Sequence, residues 1–167
     1  KDIVAGLGEI GFPIYQIVSK VFPVDGYDID SNLIPKTNKK FELYHIRFLH
    51  VCIPYNKNFV SQVLKLNKKF LPEAIVIHST IKPGTTRNIQ KKLTVPIIYS
   101  ATRGVHKRMR SDLKKYTKFF ALDYTIPNSK LLSSAYTKLM KKSGIKTKKM
   151  SNPITLELSK IICDTSY

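Results

Sequence analysis

A chain of 167 residues with 43% hydrophobic and 24% charged residues has the size and composition of one folded domain, which excludes disordered and fibrous classes. No apolar run approaches the ~18–20 residues needed to cross a bilayer, and no signal-peptide pattern is present, so neither a membrane role nor export is expected. The net charge of +18 keeps nucleic acid in view as a partner.

In chain order, Asp2 to Ala5 reads as a short strand closed by glycines at 6, 8 and 11. Ile10, Ile14, Ile17, Val18 and Val21 then recur at helical spacing. Val24 to Tyr27 is a second strand, residues 31–44 lack periodicity, and 36–40 read as a loop. Ile46 to Ile53 is a third strand ended by Pro54, followed by a helix over 59–70 and a strand over 75–77. Ile89 with Leu93 marks the next helix. Val95 to Tyr99 is a strand, 106–115 a charged helix, Phe119 to Leu122 a strand and 129–142 a helix. Ile145 to Met150 is a last polar strand, and 153–166 is helical. Such β–α alternation with short connections predicts a doubly wound α/β fold, a parallel sheet with helices on both faces. There is no internal repeat.

Only five of the 29 basic residues are arginine (Arg47, Arg87, Arg103, Arg108, Arg110), the type suited to bidentate phosphate or base contacts. Lysine pairs such as Lys39-Lys40, Lys91-Lys92 and Lys141-Lys142 are scattered rather than gathered. Nineteen isoleucines against five alanines point the same way, to a codon bias toward A and T. The lysines read as solvated helix faces, and nucleic-acid binding is the lesser alternative. Two cysteines, Cys52 and Cys163, cannot build a disulfide framework, and a cytoplasmic location is expected. The chain has no methionine before Met109 and stops at Tyr167 within a helical pattern, so it reads as a piece of a longer protein.

Gly6-Leu7-Gly8-Glu9-Ile10-Gly11 is a G-x-G-x-x-G run placed between a strand and an amphipathic helix, the context that makes it a dinucleotide signature. Gly6 permits the tight turn, Gly8 lets the backbone approach a pyrophosphate, and Gly11 lets the helix pack close to the strand. The free N–H groups at the helix start receive the phosphate charge. Asp28, at the end of the second strand, can accept hydrogen bonds from ribose hydroxyls and would repel a 2′-phosphate, which favours NAD over NADP. Asp30 is the competing carboxylate.

The stretches GLGEIG (6–11), GYDID (26–30), VCIP (51–54), HSTIKPGTT (78–86) and LELSKIICDTSY (156–167) together resemble the N-terminal part of the UDP-glucose/GDP-mannose dehydrogenase family. The resemblance implies a Rossmann-like domain in which Ile53, Pro54, Ser79 and Thr80 line the nicotinamide side of the cofactor cleft. Pro83 to Thr86 also reads as a turn with a threonine helix cap. The family carries a lysine and, four residues later, an asparagine, which help stabilise oxyanions during hydride transfer. Lys160 matches the lysine, and Asp164 stands in the asparagine's place on the same helical face. The family's covalent cysteine would lie beyond Tyr167, and Cys163 does not match it.

Thr102 to His106 follows the strand 95–99. Here the family has an acidic residue in a Pro-Glu-Phe segment, whereas this chain has no carboxylate between Glu73 and Asp112. Arg103 and His106 are candidates for an anionic substrate group. Cys52 reads as a small core residue, His50 and His78 as satisfied packing residues. No spacing suits a metal. The expectation is an NAD-binding Rossmann domain over 1–152, with 153–167 beginning a helix toward a second domain. It would belong to an NAD-dependent dehydrogenase that oxidises a sugar or nucleotide-sugar alcohol, incomplete for catalysis alone and homodimeric through the last helix. A non-catalytic NAD(H)-binding module is the alternative.

Overall fold

The computed structural model describes residues 1–36 and 45–165, without the side chains of His106 and Thr165. The loop expected at 36–40 lies outside the described residues beyond Lys36, as do Ser166 and Tyr167 at the end of the expected last helix.

The elements are β1 (Asp2–Ala5), α1 (Gly11–Val18), β2 (Val24–Tyr27), a 3-10 turn (Ser31–Leu33), β3 (Phe48–Val51), α2 (Phe59–Phe70), β4 (Ala74–Ile77), α3 (Thr85–Gln90) and β5 (Ile97–Tyr99). A second 3-10 turn (His106–Arg108) leads into α4 (Met109–Lys115), then come β6 (Lys118–Phe120), α5 (Ser129–Lys142), β7 (Thr147–Lys149) and α6 (Pro153–Thr165). The expected α1 residue Val21 falls beyond the helix and is 40% exposed. The third strand is shorter than the expected 46–53. Cys52 N–H still donates to Ala5 O, but the chain then turns out at Ile53-Pro54, where proline has no N–H for a ladder.

Five strands form a parallel sheet in the order β2-β1-β3-β4-β5. The doubly wound expectation therefore holds, in a sheet that ends at β5. β6 and β7 form a separate parallel pair, joined to β5 through an antiparallel bridge between Tyr99 and Ala121. Alternation along the strands divides the core. Val4, Phe48, Val76 and Ile98 face α1, α4 and α5. Ile3, Leu49, Ile75 and Ile97 face α2, α3 and α6, so helices cover both faces.

The chain leaves β1 toward β2 on one side and then crosses back to β3 on the other. That reversal creates the switch point, a crevice beyond the carboxyl ends of β1 and β3 where ligands of such sheets bind.

Candidate functional site

Gly6 begins the loop at that crevice with φ +88, the left-handed region, and its N–H donates to Tyr27 O at 2.8 Å. A Cβ there would lie 2.9 Å from the Cys52 backbone. A Cβ on Gly11 would lie 1.7 Å from Gly6 O, so α1 can seat against the turn only without a side chain at that position. Around Gly8 there is nothing within 4 Å of a built Cβ. The first and third glycines are thus demanded by the chain itself, while the space over Gly8 is open. Leu7 is buried, its methyls against Gly26, and Gly8 and Glu9 are exposed. Ile10 at the cap of α1 offers no side-chain acceptor and the first turn holds no acidic residue, which leaves the positive end of the helix to a ligand.

Asp28 lies against this loop. Leu7 N–H donates to its Oδ2 at 2.7 Å and Asp30 N–H to its Oδ1 at 2.9 Å. The competing carboxylate is committed elsewhere: Asp30 Oδ1 accepts from the N–H and the amide side chain of Asn32, both at 3.0 Å, and starts the first 3-10 turn.

Ile53 and Pro54 follow β3, and Ser79 and Thr80 follow β4, at the same edge. Ser79 Oγ donates to Ile53 O at 2.6 Å, which ties the two segments together. Thr80 is exposed and its Oγ1 donates to Asp164 Oδ2 at 3.3 Å, while Lys160 Nζ donates to Asp164 Oδ1 at 2.5 Å. The end of α6 therefore reaches the crevice, and Thr80, Lys160 and Asp164 meet there.

Arg103 is exposed, its guanidinium 5.3 Å from the centre of the Tyr116 ring. The backbone of His106 opens the second 3-10 turn, and its side chain lies outside the described residues.

The capping expectation at α3 is overturned. The N-cap is Gly84, in the left-handed region, and the helix start is held by a carboxylate from another element. Fully buried Glu157 on α6 accepts from Gly84 N–H at 2.6 Å and Thr86 N–H at 2.9 Å, while Thr85 Oγ1 donates to Lys82 O. A charged acceptor at two helix-start amides outcompetes a hydroxyl. Glu157→Gln keeps one acceptor oxygen for two donors, and each bond to a charged group is worth about 1.5–3 kcal/mol. It is expected to lower the unfolding free energy by about 2 kcal/mol in urea denaturation. An unchanged midpoint would show that α6 docks without this carboxylate.

Lys118, which the composition reading would count among solvated lysines, is 5% exposed. Its Nζ donates to Ser100 O at 2.6 Å and meets Thr102 Oγ1 at 2.9 Å, just before Arg103. Burial lowers its pKa to about 7, and the Lys160 charge adds to the effect. Asp112 fixes the other side of the same loop by accepting from Val105 N–H at 2.9 Å. Reading inward positions at period two would have flagged Lys118, which shares a face with Phe120 and Leu122.

The histidines are only partly satisfied, which corrects the packing expectation. His50 Nδ1 and His78 Nε2 share a hydrogen bond of 2.9 Å, but among the described residues His50 Nε2, 3.6 Å from Asp2 Oδ2, and His78 Nδ1 make no hydrogen bond. Burial and then the Lys118 charge hold His78 well below its usual pKa, in the neutral form. Burial also pushes the Cys52 thiol up to about 12, as fits a core residue rather than a nucleophile.

No protein-family model matches the chain, and no curated protein matches it. Solved structures do. UDP-D-ManNAc dehydrogenase from Pyrococcus horikoshii superposes with a TM-score of 0.78 at 17% identity, covering 99% of this chain and 50% of that one. For the UDP-N-acetyl-mannosamine dehydrogenase Cap5O from Staphylococcus aureus the values are 0.70, 15%, 98% and 50%. For a UDP-glucose dehydrogenase from Pyrobaculum islandicum they are 0.71, 12%, 97% and 48%. The chain spans about half the length of these structures. At such identities the likeness shows the fold: a Rossmann-like unit of the kind found in nucleotide-sugar dehydrogenases, as the motif resemblance implied.

Proposed function

We propose that the chain is the NAD-binding half of a dehydrogenase that oxidises a sugar or nucleotide-sugar alcohol. The observation that carries the reading is the difference among the three glycines. Gly6 and Gly11 are demanded by backbone packing, whereas open space over Gly8 is what a pyrophosphate approaching the backbone requires. Gly6 to Gly11 would cradle that pyrophosphate and Asp28 the adenosine ribose. Ile53, Pro54, Ser79 and Thr80 would border the nicotinamide. Bound there, NAD supplies the acceptor for a hydride from the carbinol carbon. The ammonium of Lys160 would offset negative charge on the reacting oxygen, with Asp164 holding it by an ion pair where the family has an amide. Arg103 and His106 would meet an anionic substrate group.

Calorimetry is expected to show NAD(H) binding more tightly than NADP(H), because Asp28 repels a 2′-phosphate. Gly8→Val is expected to leave the melting temperature unchanged and to weaken binding at least about 100-fold, since its side chain enters only the ligand's space. A preference for the phosphorylated cofactor, or full binding by Gly8→Val, would overturn the reading.

The proposal extends to a cytoplasmic homodimer. Leu156 is buried against the parent sheet, but Leu158 and Ile162 are 47% and 64% exposed on α6. A patch meeting its own copy about a twofold axis would cover them. Light scattering is expected to give a dimer that Leu158→Glu with Ile162→Glu converts to monomer; a monomeric parent at high concentration would refute it.

A further inference from the structure

On the flank away from the crevice, α3, α6 and the segment after β6 border an open cavity of about 870 Å³, within the range of small-molecule sites. It shares no residue with the Gly6–Gly11 loop, Asp28 or the Ser79-Thr80 edge. We propose that this cavity is a second small-molecule site, for a ligand with an anionic head, phosphate or carboxylate, joined to a compact apolar ring.

The head has its charge partners in Arg87 on α3 and Lys91 at its C-cap, four residues apart and both exposed at the cavity. The start of α6 faces them. Pro153 has no N–H and Thr155 N–H donates to Asn152 Oδ1 at 2.9 Å, so this helix start presents the Ile154 amide and the positive end of its dipole. The one carboxylate lining the cavity, Asp123, turns into its own loop, where Oδ1 accepts from Thr125 N–H at 2.9 Å and Thr125 Oγ1 at 2.7 Å. Ile97, Leu122, Ile126 and Ile154 give the apolar wall for a ring.

Thr86 supplies the independent observation. It lines the cavity and is 2% exposed, yet its Oγ1 has no hydrogen-bond partner among the described residues. A buried hydroxyl left unpaired costs stability unless something meets it. Its backbone N–H is engaged with Glu157, which leaves the hydroxyl as the Thr86 donor without a bond among the described residues.

Phenyl phosphate carries both features and can be titrated into the isotope-labelled chain while amide NMR signals are followed. Saturable shifts are expected at Thr86, Lys91 and Ile154. Inorganic phosphate and benzyl alcohol, which each carry one feature, are expected to bind at least about tenfold more weakly. Arg87→Gln with Lys91→Gln is expected to weaken phenyl phosphate by about tenfold or more. Thr86→Val is nearly isosteric and removes a hydroxyl with no intrachain bond. It is expected to keep the melting temperature and to weaken binding about fivefold. The proposal is overturned if shifts are confined to Gly6–Gly11, if no saturation occurs by about 20 mM, or if both variants bind as the parent does. An intact NAD(H) titration alongside separates failure of this site from failure of the crevice reading.

Discussion

Gly11→Ala is expected to unseat α1 and destroy the proposed dinucleotide crevice. The new methyl carbon would stand 1.7 Å from Gly6 O, 2.8 Å from Gly6 C and 3.0 Å from the Cys52 Cβ. Two of those three atoms are backbone, in a turn already fixed by Gly6 N–H donating to Tyr27 O and Cys52 N–H donating to Ala5 O. No rotamer change can relieve the clash, so α1 must move away from β1. Ile14, Ile17 and Val18, buried on the core face of α1, move with it. Overpacking in a core costs about 1–3 kcal/mol, and a contact this short against backbone belongs at or beyond the upper end. The variant should unfold at least about 3 kcal/mol more easily in urea and bind no NAD(H). The paired measurement on Gly8→Ala gives the contrast, because that methyl meets nothing and the fold should be retained. Equal stability of Gly11→Ala and the parent would mean that α1 does not seat on the turn.

These two glycines show what was legible in the sequence and what was not. Their spacing between a strand and an apolar-periodic helix is a local pattern, and local patterns survive translation into structure. The same holds for Asp28, whose place follows from the end of β2. The strand and helix order was legible for the same reason, since each element bears its own period. What sequence could not supply was the partner of each buried charge. Glu157 lies on the buried stripe of α6, but its acceptor role depends on α3, more than 70 residues away. The threonine cap expected at α3 was displaced by that distant carboxylate. Likewise the sheet ends at β5, and the β6-β7 pair joins it only through an antiparallel bridge, a tertiary event.

The candidate site divides along the same line. The proposed cofactor side is written in one contiguous loop and one carboxylate. The proposed reacting side draws on Thr80, Lys160 and Asp164, which chain distance separates and the docking of α6 unites. Glu157 holds α6 to α3 one turn before Lys160, so the structural anchor and the proposed oxyanion partner share a helix. Lys118 and Asp112 play the corresponding part for the loop bearing Arg103, from its two ends. Buried charges in this domain therefore set the positions of exposed ones.

Lys118 makes that arrangement measurable through pH. In the fold its pKa falls from 10.5 to about 7, first because burial penalises the ammonium and then because Lys160 repels it. Between about pH 7 and 10.5 the unfolded chain therefore holds a proton that the folded chain has released, and stability rises with pH across that window. Below pH 7 both states are charged there and the penalty is fully present. The neutral amine can still donate to Ser100 O and share a bond with Thr102 Oγ1. Two neighbours bound the useful range. His78 is held neutral in the fold, so its contribution to the slope ends near its ordinary value of 6.5. The Cys52 thiol, raised from 9.0 to about 12, stays protonated in the fold while the unfolded thiol ionises, and so opposes the rise above pH 9. Urea denaturation from pH 7 to 8.5 is thus expected to show stability growing by on the order of 1–2 kcal/mol, under the ceiling of about 1.4 kcal/mol per pH unit. Lys118→Met removes the titrating amine and should flatten that slope, whatever its own effect on absolute stability. Parallel pH profiles for the two proteins would show that the lysine is charged in the fold throughout, and that Ser100 and Thr102 hold an ammonium.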